Sequence, residues 1–144
     1  MIDIRVPDKI RYEELDQFFY QLSPRVQKLF YWDIRNEKLD RKSLKNSLFV
    51  TARRGTRGRL VGFIKIVTDK AYEYYFSEVV VLPDWRNKHI GSKLLEAGIN
   101  YCKKEGFIQI FLTADKGKES YYKKFGFKPA TYQVMKIKRK RKKT

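Results

Sequence analysis

The chain predicts a single mixed α/β domain, and three observations carry that expectation. Its patterned segments run in the order β-α-α-β-β-β-α-β-α-β, with no internal repeat and no linker between them. An unbroken apolar run, Val79-Val80-Val81-Leu82, gives way within a few residues to Ile90, Leu94, Leu95, Gly98 and Ile99 at helical spacing. The 144 residues are 42% hydrophobic and 15% aromatic, enough for one buried core and too apolar for a disordered chain.

Taken in order, Ile2 and Ile4 alternate with charged neighbours as a short first strand, which Pro7 and Asp8 should end. Leu15, Phe18, Phe19 and Leu22 share one face of a helix over residues 12–22. Ser23 and Pro24 restart the chain as N-cap and first helical residue, and the second helix carries Val26, Leu29, Phe30 and Ile34. Residues 36–46 are so highly charged that they read as a loop or a frayed helix. The period then changes to two. Leu48 to Ala52 is a strand, Arg53 to Gly58 a hairpin turn, and Leu60 to Val67 the return strand, with Gly62 marking a bulge or a close approach. Thr68-Asp69-Lys70 turns the chain into a long strand over residues 71–82, aromatic in its first half and aliphatic in its second.

Pro83 and Asp84 end that strand, and a basic loop leads into the next helix, which Lys103, Lys104 and Gly106 finish. Residues 107–112 form a further strand, parallel to the one before the helix by the crossover rule. A short helix over residues 118–125 ends at Gly126. Residues 127–138 read as a terminal hairpin or edge strand. The domain therefore spans residues 1–138, and residues 139–144 are a basic tail.

Charge narrows the classes of function. Lys and Arg number 33 against 16 Asp and Glu, a formal +17. Such a surface attracts polyanions, so nucleic acid is a candidate partner through the surface and tail, although no nucleic-acid module is present and small anions fit equally. No apolar run reaches the roughly 20 residues of a membrane helix. The charged N-terminus has no apolar signal core, so the expected location is the cytoplasm. One cysteine, Cys102, allows no internal disulfide, and without a Cys/His cluster no metal site is expected. The oligomeric state stays open, a homodimer included.

The segment that carries chemistry is the loop before the long helix. Trp85-Arg86-Asn87-Lys88-His89-Ile90-Gly91-Ser92 puts free helix-start N–H groups, two cations and a small residue at one place, which suits a pyrophosphate. Arg86 through Gly91 resembles the phosphate-binding loop of the GNAT superfamily of N-acetyltransferases, with His89 where that family usually has Gly. His is among the non-Gly residues that visit positive φ. Tyr121-Tyr122-Lys123-Lys124-Phe125-Gly126-Phe127 resembles a second family motif, and the order of elements matches along essentially the whole chain.

The resemblance implies a mixed, mostly antiparallel twisted sheet with a central parallel strand pair and helices on both faces. It implies acetyl-CoA as acetyl donor, bound by residues 86–92 and by a main-chain N–H in the stretch of Val79, Val80, Val81 and Leu82. It matches Tyr122 to the tyrosine that protonates the leaving thiolate, although spacing alone reads Tyr122 as a helix residue packed on the sheet. Asp115 stands where many members have an Asn that touches the cofactor. Glu78 stands where many have an acidic residue: it is either the base that deprotonates the amine or a group that orients the acceptor or the structure. Tyr72, Tyr74 and Tyr75, with Trp32, either line an acceptor pocket or divide between core and surface. Lys116 reads as a solvated turn residue, and Cys102 as packing. The implied activity is acetyl transfer to an amine, of a small molecule by default. A macromolecular acceptor such as aminoacyl-tRNA, or a non-catalytic nucleic-acid-binding domain, are the alternatives.

Overall fold

The computed structural model describes residues 1–30 and 34–139. Five strands form one sheet in the order β1-β2-β3-β4-β5, where β1 is Ile2–Asp8, β2 Leu48–Arg54, β3 Arg59–Thr68, β4 Glu73–Val81 and β5 Gln109–Phe111. The first three pairings are antiparallel, and β4 with β5 is parallel. Helices α1 (Tyr12–Tyr20), α2 (Pro24–Leu29) and α3 (Glu37–Asn46) precede β2; α4 (Ile90–Glu105) joins the parallel pair; α5 (Glu119–Lys123) follows β5.

Each face of the sheet has its own core. On one side Phe18 and Phe19 of α1 pack against Phe63 of β3, the first tilted and the second edge-on, and Phe63 also meets Phe49 of β2. On the other, Leu94, Leu95 and Cys102 of α4 are fully buried. Gly98 lets α4 settle close, because a Cβ there would meet the Phe76 ring and Val50 at 3.3 Å. Gly62 plays the same part opposite Leu94 and the Val80 carbonyl.

The capping signals act as the sequence suggests. Ser23 Oγ accepts from the Val26 N–H at 3.3 Å, with Pro24 in the first turn. Three expectations need correction. Residues 36–46 contain a helix: Asn36 Oδ1 caps it at the Leu39 N–H (2.9 Å), and Arg41 bonds Glu37 one turn back. Apart from the buried Asp40, its charges sit on an outer face, and that hid it. Strand β1 runs through Pro7 to Asp8; Pro7 falls in the irregularity between the Arg5 and Asp8 rungs of this edge strand, a place that tolerates the missing N–H. Residues 127–139 form neither helix nor strand. Val134 and Ile137 have opposite parity, so no single apolar face exists there, and both are exposed. β5 is consequently the last strand of the sheet. No helix among the described residues is long and apolar enough to cross a membrane.

Candidate functional site

The site begins with a fault in β4. Lys65 pairs with Glu78, but Ile66 pairs with Phe76, so Ser77 is an extra residue whose hydroxyl donates back to the Lys65 carbonyl at 3.3 Å. Such a bulge bends its strand and reverses the alternation beyond it. Phe76 faces α4. Strict alternation would put Glu78 beside it, yet Glu78 lands on the opposite face, with α1 and α3.

The bend also parts β4 from β5. Their pairing covers only Glu73 to Tyr75, and its last rung is clamped by Tyr75 stacked on Phe111 at 4.9 Å and 7°. Beyond that rung β4 has a partner on its β3 side only. The Leu82 N–H donates to the Val61 carbonyl at 2.9 Å, so the Val80 and Glu78 amides face β3 while those of Val79 and Val81 face the gap. The Val81 carbonyl agrees, since it accepts from Arg86 Nε at 3.2 Å on the open side. The Val80 side chain is buried.

At the end of this open edge, a 3-10 turn over Pro83–Trp85 leads to the loop. Asn87 and His89 both stand at φ 61°, the left-handed region. His89 is the N-cap of α4 and supplies no side-chain cap, which leaves the amides of Ile90, Gly91 and Ser92 to a ligand or to water. A residue of permissive φ was needed there, and His meets the need. Lys88 Nζ and the Arg54 guanidinium both lie over the Trp85 ring, at 5.0 and 5.1 Å, so two cations are held beside the loop.

The tyrosines divide. Tyr121, which opens the second motif but has no role assigned by the sequence, shares a hydrogen bond of 3.3 Å with Ser92 Oγ, and its hydroxyl sits 3.2 Å from where a Gly91 Cβ would be. Tyr122 packs on Tyr121 and Phe127. It lines a groove of about 840 Å³ shared by Ile99, Phe107, Leu112 and residues 126–132. Burial foremost, then Tyr121 and Asp115, pushes its phenol above the usual value. Asp115 itself is an exposed turn residue whose carbonyl accepts the Lys118 N–H, and Lys116 is exposed beside it.

Glu78 is not laid open by the gap. Its carboxylate is 13% exposed and takes a 3.2 Å bond from Arg35 Nη2. Arg35 lies 4.6 Å over the Phe19 ring, and its Nε stands 3.4 Å from Asp40. Burial raises the Asp40 carboxyl against the pull of Arg35 and Lys65. Neither Arg35 nor Asp40 carries any sequence signal; only folding brings them to Glu78. No hydrogen bond joins Glu78 to Tyr122 among the described residues. Of the two readings of the strand tyrosines, the division between core and surface holds: Tyr74 is buried under α4, Tyr75 stacks on Phe111, and Tyr72 is exposed. Trp32 lies outside the described residues. Burial pushes the Cys102 thiol up to about 11, which leaves it inert at neutral pH.

The fold recurs in other proteins. The chain superposes on a GNAT family acetyltransferase from Streptococcus pneumoniae with a TM-score of 0.73 at 21% identity, covering 97% of this chain and 100% of that one. It superposes on a transcriptional regulator from Bacillus halodurans at 0.71 and 24%, covering 96% and 99%. For the glucosamine-6-phosphate N-acetyltransferase of Arabidopsis thaliana the values are 0.64 and 17%, covering 95% and 98%. At these identities the likeness is one of fold. In sequence, the chain is 27% identical over 99 residues to the uncharacterized N-acetyltransferase ycf52 of Pyropia yezoensis, 67% of this chain and 57% of that protein. The acetyltransferase (GNAT) family pattern matches residues 8–127, from the end of β1 through the Tyr122 motif, and on that extent the chain belongs to the GNAT acetyltransferase family.

Proposed function

We propose that this protein transfers the acetyl group of acetyl-CoA directly to a primary amine of a small molecule, in one ternary complex. The observation that carries the proposal is the open side of β4 running into the uncapped start of α4. Two sets of free amides, joined by a loop with fixed cations, suit a ligand that is peptide-like at one end and anionic at the other. Asn87, His89, Ile90, Gly91 and Ser92 take the pyrophosphate, with Arg86 and Lys88 beside it. Catalysis belongs to residues 1–138, and the tail from 139 is a separate basic element.

Acetyl-CoA supplies an activated acyl group as a thioester; the chain supplies the rest. The amides of Val79 and Val81 hold the acetyl carbonyl, in bonds that strengthen as its oxygen gains charge. An amine with a pKa of about 10 is mostly protonated at neutral pH, so Glu78 removes its proton, directly or through a water. The nitrogen forms the new C–N bond, the C–S bond breaks with its electron pair going to sulfur, and Tyr122 passes its phenolic proton to the departing sulfur. The second proton, shed by the nitrogen as it becomes an amide, returns through water to the phenolate. A phenol is already protonated at neutral pH at its ordinary value, and burial, which raises Tyr122 further, leaves that protonation unchanged. Glu78 is enclosed by Arg35 and partly buried, which favours a slender primary amine.

Turnover of acetyl-CoA against a panel of primary amines, with Tyr122→Phe alongside, tests the proposal. At least one amine should be acetylated. Tyr122→Phe should lower kcat about 10²-fold while affinity for coenzyme A barely moves. Wild-type turnover in that variant would remove the acid role, and turnover of no amine by the folded protein would remove the proposal.

A further inference from the structure

Arg35 contains the least satisfied polar group of the site. Its Nη1 is buried and has no hydrogen-bond partner among the described residues. Buried donors almost always have one, and an orphan in a folded protein asks for a ligand or a bound water. The position is informative. Nη1 shares a carbon with Nη2, which bonds Glu78, so the empty donor lies one guanidinium width from the proposed base. Stacking on Phe19 and the contact with Asp40 fix the plane of the group, so it cannot turn to satisfy itself locally.

Charge decides what the donor awaits. Glu78 and Asp40 already share the Arg35 charge. A third carboxylate would face both, whereas a neutral carbonyl oxygen accepts the N–H without adding charge. Resting on the proposed acetyl transfer at Glu78, we propose that Arg35 recognises the acceptor, and that the acceptor is an α-amino carbonyl compound: an amine at Glu78 with a neutral amide or ester oxygen on Arg35 Nη1. Spacing permits both contacts, because the nitrogen and the carbonyl oxygen of such a unit are separated by two carbons only.

The test compares three series, built on glycine, leucine and phenylalanine, each as the amino acid amide, the free amino acid and the parent amine lacking the carboxyl carbon. Amide amines are less basic than alkylamines, so the quantity read is the change in the amide-to-parent ratio of kcat/KM between wild type and Arg35→Met. That ratio should fall about tenfold in the variant for the preferred series, chiefly through KM, with the free acid below the amide in wild type. A tripeptide in the preferred series separates a free amide from a chain N-terminus as the source of the group. Calorimetric binding of the same ligands to the coenzyme A complex reads recognition without turnover. A binding preference for the amide that Arg35→Met erases, in a protein that acetylates nothing, would sink acetyl transfer and leave recognition standing. An amide-to-parent ratio unchanged by Arg35→Met in both measurements would overturn the proposal. If that variant does not fold, Arg35→Lys carries the same test, since it keeps the charge and loses the Nη1 donor.

Discussion

Two arginines sheltered from solvent each hold two carboxylates, and they differ in how completely. Arg53 uses every nitrogen: Nε to Asp8 at 2.8 Å, Nη1 to Glu14 and the Gly58 carbonyl at 2.8 and 2.9 Å, Nη2 to the Lys9 carbonyl and Glu14 at 3.0 and 3.1 Å. Thr51 adds a 2.6 Å bond to Asp8. Arg35 makes one hydrogen bond of 3.2 Å, one ion contact of 3.4 Å, and leaves Nη1 empty. The first cluster ties β1, α1 and the β2–β3 turn together far from the gap. The second sits on the face of the bulge. A saturated network fixes a fold, because nothing remains for a ligand to complete; an unsaturated one keeps a donor in reserve at a cost in stability.

The largest effect should come from emptying the saturated cluster. Arg53→Met leaves Asp8 and Glu14 uncompensated and should cost about 3–5 kcal/mol in urea unfolding. Arg35→Met should cost about 1.5–3 kcal/mol, the scale of one charged hydrogen bond. Burial pushes the Asp8 and Glu14 carboxyls up, but their bonds to Arg53, Thr51 and nearby amides outweigh it, and both end below the usual range. A carboxyl lowered on folding stabilises above its unfolded pKa of about 4, and the contribution is lost as pH falls through the folded value. The stability gap between wild type and Arg53→Met should therefore narrow from pH 7 toward pH 3. Equal costs for the two arginine variants would dissolve the contrast between the clusters.

The contrast also explains what the sequence could show. Strands, the long helix and the loop before it were legible because apolar period, Ser23-Pro24 and Gly106 are local signals. The loop was legible as a candidate anion site because Arg86, Lys88 and Gly91 lie within six residues. The bulge was not, since Ser77 carries no mark that it stands outside the alternation, and with it went the true face of Glu78. Helix α3 was concealed by its charges, and the edge strand expected at residues 127–138 rested on an alternation too weak to make a face. Arg35 and Arg53 reach partners some forty residues away, 43 in one case and 45 and 39 in the other. No spacing rule reaches so far.

A smaller effect should appear at the loop, which neither arginine touches. Arg86→Glu reverses a charge and loses the bond to the Val81 carbonyl. Gly91→Val drives a side chain into the Tyr121 hydroxyl. Each should raise the dissociation constant of coenzyme A about tenfold, roughly 1.4 kcal/mol, with the urea midpoint nearly unchanged. Unchanged calorimetric affinity in both folded variants would take the pyrophosphate away from this loop.

The measurement that reaches the central claim most directly is an amide chemical-shift titration of the labelled protein with coenzyme A. The open edge and the uncapped helix start should respond together: Val79, Val81, Gly91 and Ser92 should move most, and Thr51 and Arg53 in the saturated cluster should stay still. Shifts centred on Thr51 and Arg53, with the β4 edge and the start of α4 silent, would contradict the account.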